Sequence, residues 1–271
     1  LQVVPIGLFG ATIAQAALPI LSSERARGRL DEFKLTFLTT MHQILFLALP
    51  STAMLIILRV PVVRLIFGAA QFDWPSTVLT GMTLAYLSIG LAAQSISLLL
   101  VRGFYALKDT KTPVIISLLV VGVNILFSIY FVRILHLPVW SLGLSFSVTS
   151  ILSALLLFIN LDKKVGGFNR KALFSPFFRM LLATLIMGVA LYIPIKLLDK
   201  VIFDTTRTVN LLVLTGLSSF FAVAVYLLLV WFLKVKELST YLDLLRKFGK
   251  FQAKIRSEEL IQSSENPHSP L

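Results

Sequence analysis

Seven long apolar stretches restrict the fold of this chain more than any other feature of its sequence. They cover residues 2–22, 35–58, 77–101, 113–132, 138–160, 177–198 and 209–233. A helix that crosses the hydrocarbon core of a bilayer needs about 20 mostly apolar residues, and only helices or closed barrels satisfy their backbone hydrogen bonds in lipid. The short alternating segments that mark a membrane barrel do not occur. The sequence therefore predicts an all-α polytopic membrane protein with seven transmembrane helices.

The connections between these stretches alternate in their content of Lys and Arg. Those that follow the first, third and fifth spans, together with the tail after the seventh, hold 19 of the 25 basic residues. Translocation across a membrane disfavours Lys and Arg, so we expect this basic side to be cytoplasmic. The orientation puts the C-terminus in the cytoplasm. It also accounts for the net charge of +12 without a nucleic-acid partner.

The sequence holds few groups suited to covalent chemistry. Cysteine is absent, and there are only 3 His and 13 acidic residues. The middle of each span lacks Asp, Glu, Lys and Arg, and the chain has no Walker loop, His-Glu-x-x-His or Gly-x-Ser-x-Gly motif. We therefore expect no enzyme activity, no metal site and no cofactor. A charged substrate would have to meet helix ends, uncharged polar groups or residues upstream of Leu1.

Helix-breaking residues interrupt the first span. Pro5 and Gly7 lie near its start, and Gln15 is a polar residue in its second half. Such residues are tolerated in membrane helices where protein or a wet cavity meets the freed backbone groups. The pattern predicts a bent helix that lines a substrate cavity, with Gln15 facing water. A bent helix that only packs against its neighbours is the alternative.

Two further polar positions lie within spans. Asn124 is at the middle of the fourth span, and the fifth span carries a cluster of hydroxyl side chains at Ser145, Ser147, Thr149 and Ser150. An interhelical hydrogen bond is the better explanation of Asn124, and a ligand for a coupling ion is the alternative. His42, near the inner third of the second span, fits a hydrogen-bonded packing residue better than a proton relay.

The chain outside the spans has three recognisable parts. Residues 234–256 show apolar side chains every three or four positions beside a basic row, which predicts an amphipathic cytoplasmic helix on anionic lipids. Residues 257–271 are polar and are expected to be disordered. On the opposite side, Val60–Asp73 predicts a short helix at the membrane interface.

One loop carries a specific resemblance. The run from Arg102 to Pro113 resembles the Gly-Phe-Tyr-x-x-x-Asp-x-Lys-Thr-Pro loop of the MurJ (MviN) family, the lipid II flippases of bacterial cell-wall synthesis in the multidrug/oligosaccharidyl-lipid/polysaccharide exporter superfamily. The segments Pro5–Gly10, Leu45–Ser51 and Gly143–Ser145 also resemble that family. The loop residues that carry the resemblance are Gly103, Phe104, Tyr105, Asp109, Lys111, Thr112 and Pro113.

The resemblance implies that this chain is the second half of a longer protein. The family has fourteen helices, so the seven spans here would be the eighth to the fourteenth. Residues 1–165 would then form most of the second lobe, and 166–233 the two extra helices that form a groove for the lipid tail. The candidate groove residues are Tyr192, Phe220, Phe221 and Tyr226. Cavity arginines for the substrate diphosphate would lie in the missing N-terminal half, the expected partner of this chain.

The resemblance also implies a function. Such a protein flips lipid II from the inner to the outer leaflet of the bacterial cytoplasmic membrane by alternating access, with coupling to the membrane potential or a monovalent ion as possibilities. The alternatives are another flippase or antiporter of the superfamily, for O-antigen lipid or drug export, and a membrane-embedded glycosyltransferase. A non-transporting scaffold is a further possibility.

Overall fold

A computed structural model describes residues 1–67, 73–201, 208–235 and 237–238. Within these ranges the chain forms nine helices, which we number in chain order. They run Val3–Ala26 (α1), Leu30–Ile57 (α2), Arg59–Phe67 (α3), Trp74–Ile89 (α4), Leu91–Ala106 (α5), Lys111–Ile134 (α6), Trp140–Lys164 (α7), Arg170–Val201 (α8) and Thr208–Phe232 (α9). The described part of the chain contains no strand.

The all-α fold with seven spans is confirmed. Six helices (α1, α2, α6, α7, α8 and α9) are each long and apolar enough to cross a membrane, and α4 with α5 forms a seventh span that is bent by 41°. The third span is not one straight helix, because the chain bends at Gly90. The short helix predicted within Val60–Asp73 is present as α3, and residues 68–72 lie outside the described ranges.

The helices pack as one continuous bundle. Helix α7 contacts α4, α5 and α6, while α1 packs between α2 and α5. Helix α8 lies along both α2 and α9. It follows a turn at Gly166 and Gly167, where the sequence places the boundary between the lobe and the C-terminal pair. Whether these are separate domains stays a prediction.

Helix α1 shows how sequence spacing selects the buried face. Gly10, Ala14, Ala17 and Leu21 are buried, and they recur every three or four residues along one side of the helix. The turns at Ile6–Ala11 widen to a π-helix, directly after Pro5. The helix is therefore irregular near Pro5, and the predicted bend and cavity lining stay predictions.

Four helices end in the same way, at one end of the bundle. After the last turn of each of the helices α1, α5, α7 and α9, one residue has a left-handed backbone conformation and the chain reverses its direction. The backbone nitrogens of that residue and of the next one donate hydrogen bonds to carbonyls of the last turn. The four residues are Gly28 (φ 73°), Lys108 (φ 57°), Gly166 (φ 80°) and Lys234 (φ 51°). This is the Schellman pattern of helix termination. It brings three basic connections of the sequence and the beginning of the basic tail together at that end.

A proline in α2 explains a distant contact with α9. Pro50 has no N–H, so it cannot donate the helical hydrogen bond that the carbonyl of Phe46 would otherwise accept. The hydroxyl of Tyr226 donates to that carbonyl at 2.8 Å, and the ring of Tyr226 packs against Phe46. The contact fixes α9 to α2 in the interior of the bundle.

The predicted cytoplasmic tail is described only at its beginning. Residues 234, 235, 237 and 238 are within the described ranges. The rest of the predicted amphipathic helix 234–256, and the whole predicted disordered segment 257–271, lie outside them.

Candidate functional site

A polar cleft lies within the bundle, between α1, α5, α6 and α7. Its volume is about 370 Å³. No lining residue is charged, and most of the lining polar groups are hydroxyls. The polar residues that line it are Gln94, Ser97, Ser117, Asn124, Thr149, Ser150 and Ser153. Such a cleft offers hydrogen bonds at membrane depth without a fixed charge.

The predicted cavity residues of α1 fall around this cleft rather than in it. Ile6 is the α1 residue that lines the cleft, and Pro5 beside it is half-buried. Gly7 and Gln15 are exposed on α1. Their role in a larger substrate cavity stays a prediction.

Asn124 belongs to a hydrogen-bond network between α6 and α7. Its amide nitrogen donates to the hydroxyl of Ser145 at 3.2 Å and to the hydroxyl of Thr149 at 3.0 Å. Ser128 shares a further hydroxyl contact with Ser145 at 3.2 Å. The amide nitrogen is thus used for interhelical bonding, and the described network contains no carboxylate. The described residues hold no group of three or more His, Asp or Glu that would suit a metal ion.

The bend between α4 and α5 is clamped by α7. The hydroxyl of Ser147 accepts a hydrogen bond from the backbone nitrogen of Gly90 at 3.0 Å and contacts the carbonyls of Tyr86 and Leu87. A Cβ atom at Gly90 would lie 2.9 Å from the Cα of Ser147, so only glycine permits this approach. The sequence shows the glycine, but its partner lies in another span.

The family-like loop is a structural junction. Gly103 and Phe104 are buried at the end of α5, and a Cβ at Gly103 would lie 3.0 Å from the ring of Phe37. Asp109 accepts hydrogen bonds from the backbone nitrogens of Lys111 and Thr112, which are the free donors of the first turn of α6. Pro113 is buried in that turn, whereas Tyr105 and Lys111 are exposed.

A cross-helix ion pair completes the junction. The Nζ of Lys164, in the last turn of α7, donates to Oδ2 of Asp109, which also accepts from the hydroxyl of Thr112. The hydrogen bond from Lys164, followed by that from Thr112, holds the pKa of Asp109 well below its usual range. Asp109 therefore joins the ends of α5, α6 and α7.

We expect Asp109→Ala to be more damaging than Lys164→Ala. The first substitution removes the helix cap and the ion pair and should lower the free energy of unfolding by about 1–2 kcal/mol, whereas loss of a half-exposed ion pair alone should cost less than about 1 kcal/mol. The lowered pKa means that the Asp109 contribution is present above the ordinary carboxyl pKa and is lost only in stronger acid. The contribution of Asp109 to the free energy of unfolding should therefore be constant between about pH 5 and pH 8.

Chemical denaturation of both variants in detergent micelles checks this ranking. Equal destabilisation by the two substitutions would show that the ion pair, and not the cap, carries the effect.

The predicted tail-groove residues divide into two groups. Tyr192, Phe220 and Phe221 are exposed on α8 and α9, and Phe220 is 78% exposed. Tyr226 is buried and bonded to α2, so its prediction as a groove-lining residue is wrong. The physical reason is that Pro50 cannot donate a helical hydrogen bond to the Phe46 carbonyl, and the hydroxyl of Tyr226 donates to that carbonyl from α9.

The structure also contains an apolar cavity that the sequence did not indicate. It lies between α2, α5, α7 and α8 and has a volume of about 350 Å³. Buried side chains of α2 form its floor, and Leu173 and Phe177 of α8 form part of its wall. The α2 residues are Met41, Leu45 and Leu49. The spacing of apolar residues along a single helix could not reveal this cavity, because side chains of four helices form it together.

These features define a class of protein: a polytopic bundle of apolar helices around an uncharged polar cleft. The chain belongs to the lipid II flippase MurJ family, because a sequence model of that family, described as Lipid II flippase MurJ, matches residues 1–209.

The similarity to individual relatives agrees with this assignment. A probable lipid II flippase MurJ of Rhizobium meliloti (strain 1021) is 32% identical over 227 residues, which are 81% of this chain and 42% of the relative. A probable lipid II flippase MurJ of Thermotoga maritima is 30% identical over 238 residues, or 88% of this chain and 45% of the relative. The chain thus spans less than half the length of these curated relatives.

A solved structure shares the fold. It is titled lipid II flippase MurJ, inward closed conformation, and it aligns with 83% of this chain and 44% of its own length. The TM-score is 0.64 at 24% sequence identity. The likeness extends the family assignment to the helical architecture.

Proposed function

We propose that this chain is part of a lipid II flippase, which moves the lipid-linked peptidoglycan precursor from the inner to the outer leaflet of the bacterial cytoplasmic membrane. The observation that carries the proposal is the family match over residues 1–209. A flippase forms and breaks no covalent bond. That agrees with a sequence poor in catalytic groups.

The head of the substrate needs a path through the membrane. A diphosphate-sugar head must cross about 30 Å of hydrocarbon, and burying its charge bare would cost several kcal/mol or more. The polar cleft of this chain has no charged lining residue. We propose that the cationic groups come from the part of the flippase that the curated relatives have and this chain does not span. This chain supplies most of one lobe, which rocks against the other about a site near the midplane.

The lipid tail needs an apolar surface. The exposed aromatic side chains Tyr192, Phe220 and Phe221 offer one on α8 and α9. The apolar cavity beside α8 offers an open apolar space for a chain segment. We propose that the tail stays on this side of the bundle while the head uses the cavity between the lobes.

The proposed orientation places the C-terminus in the cytoplasm. Three basic connections and the beginning of the basic tail meet at one end of the bundle, where Lys164 pairs with Asp109 and Arg179 donates to the carbonyl of Leu233 at 3.0 Å. A basic end of this kind favours the cytoplasmic side and its anionic lipids. Coupling to the membrane potential or to a monovalent ion is part of the proposal, with Asn124 as the candidate ligand.

A reconstituted flipping assay tests the function. The full-length protein that contains this chain should move lipid II between the leaflets of liposomes, and residues 1–271 alone should not, because they lack the cationic groups. A lipid carrier with an O-antigen sugar is the control substrate. Transport of the O-antigen carrier without transport of lipid II would assign the protein to another branch of the superfamily. Flipping by residues 1–271 alone would show that no second half is needed.

A further inference from the structure

Three parts of the chain meet at a buried histidine. The Nδ1 atom of His42, on α2, lies 3.5 Å from Oε1 of Glu237. The Nε2 atom lies 3.2 Å from the carbonyl oxygen of Leu173, on α8. His42 is 5% exposed and Glu237 is 7% exposed. The site therefore joins α2, α8 and the segment that follows α9.

The end of α9 directs Glu237 to this site. The left-handed residue Lys234 reverses the chain, and the backbone nitrogen of Val235 donates to the carbonyl of Val230 at 3.1 Å. Val235 is buried, and Arg179 of α8 donates to the carbonyl of Leu233. In the segment that follows α9, residues 234, 235, 237 and 238 are thus folded back onto the bundle, with the Glu237 carboxylate on the inner side.

Counting hydrogen-bond donors and acceptors shows that the site lacks one proton when His42 is neutral and Glu237 is ionised. The Leu173 carbonyl and an ionised Glu237 are both acceptors only, while a neutral imidazole has a single N–H. If Nε2 of His42 donates to Leu173, then Nδ1 presents a bare lone pair to a carboxylate. The contact becomes attractive only when one more proton lies on Nδ1 or on Glu237.

Charge leads to the same requirement. Without the extra proton, the buried pair carries a net charge of −1. With it, the pair is neutral overall, whichever partner holds the proton. The other carboxylate oxygen of Glu237, Oε2, is buried and has no hydrogen-bond partner in the described part of the chain. Burying an unpaired charge of this kind is costly.

The charged groups of the described residues around the site do not replace the proton. Within the described residues, Glu237 is the charged group that acts electrostatically on His42. On α8, Arg179 is directed to the Leu233 carbonyl, and Lys234, next to the reversal, is exposed. Helix α2 contributes no ion-pair partner to His42 among the described residues.

We infer that His42 and Glu237 form a buried proton-binding site, and that the proton holds the segment that follows α9 against the bundle through Glu237. In the undocked state near neutral pH, a free imidazole is neutral and a free carboxyl is ionised. Docking therefore takes up one proton, which the two side chains share as a coupled pair. When the proton leaves, the buried negative charge expels the segment.

The sign of the pH dependence follows from this proton uptake. The docked state binds more protons than the undocked state, so docking is strong at low pH and weakens as the pH rises. Exchange of one proton makes the docking equilibrium change about tenfold per pH unit above neutrality.

Cysteine labelling measures docking directly, because the chain has no native cysteine. Val235→Cys places a thiol where the docked segment buries it, and Lys234→Cys places one at the exposed neighbouring position. The experiment uses the full-length protein in lipid nanodiscs, with any cysteine outside residues 1–271 replaced by serine. The ratio of the two labelling rates cancels the common rise in thiol reactivity with pH.

We expect the ratio for Val235→Cys over Lys234→Cys to rise about tenfold from pH 7 to pH 8. In a Glu237→Gln background the ratio should not change with pH, because the amide is neutral and can donate to Nδ1 without an added proton. A ratio independent of pH in the parent protein would overturn the inference. A pH slope that persists with Glu237→Gln would do the same, because a different group would then be titrating.

Discussion

Gly90→Leu is expected to abolish function by breaking the junction between α4, α5 and α7. A Cβ at this position would lie 2.9 Å from the Cα of Ser147, which is a backbone atom and cannot rotate away. Overpacking a tight core costs about 1–3 kcal/mol for added methylenes. Here the separation of the helices would also break the 3.0 Å hydrogen bond between the Gly90 nitrogen and Ser147. The variant should therefore lose thermal stability and fail to support growth.

The measurement is complementation by the full-length protein in a strain depleted of its own flippase, together with thermal unfolding in detergent. Gly216→Leu is the matched control, since Gly216 is exposed on α9 and a Cβ there meets no atom within 4 Å. It should retain growth and stability. If Gly90→Leu unfolds at the same temperature as the parent protein, the close approach to Ser147 is not essential.

The same junction shows where sequence reasoning succeeds and where it stops. The number of spans follows from the sequence because bilayer thickness sets the length of an apolar run. The break at Gly90 does not, because it depends on a hydroxyl at Ser147 in another span. A glycine in an apolar run is compatible with a straight helix until its neighbour is known. The contact with Ser147, and not the local sequence, determines the bend at Gly90.

The functional residues show the same division. The loop from Gly103 to Pro113 could be recognised as a unit because its cap, its turn and its buried glycine are close in sequence. The aromatic character of Tyr226 favours a place in the groove, yet its position is set by Pro50, far earlier in the chain. The sequence favours His42 as a packing residue, and its partner Glu237 lies beyond the last span. Pairs of this kind become visible only when the helices are assembled.

Phe220→Asp is the second substitution with a large expected effect. Phe220 lies within the apolar helix α9 and is 78% exposed, on the surface that we propose faces the lipid tail. A carboxylate at the centre of a membrane helix costs about 2.5–3.5 kcal/mol on insertion scales. It also removes apolar contact from a surface that a polyprenyl chain would need. The full-length variant should fail to complement the depleted strain.

Two companion variants separate the reasons for that failure. Phe220→Leu keeps the surface apolar and should support growth, with at most a partial loss if the aromatic ring itself contacts the tail. Phe232→Asp places the same charge at the end of α9, on a side chain that is 76% exposed, where the cost of a charge is small because the head groups are near. It should be tolerated. Failure of Phe220→Asp at a normal protein level in the membrane would point to the groove, because the helix would then have inserted and only its outer surface would have changed. Normal growth at that level would instead remove Phe220 from the path of the tail.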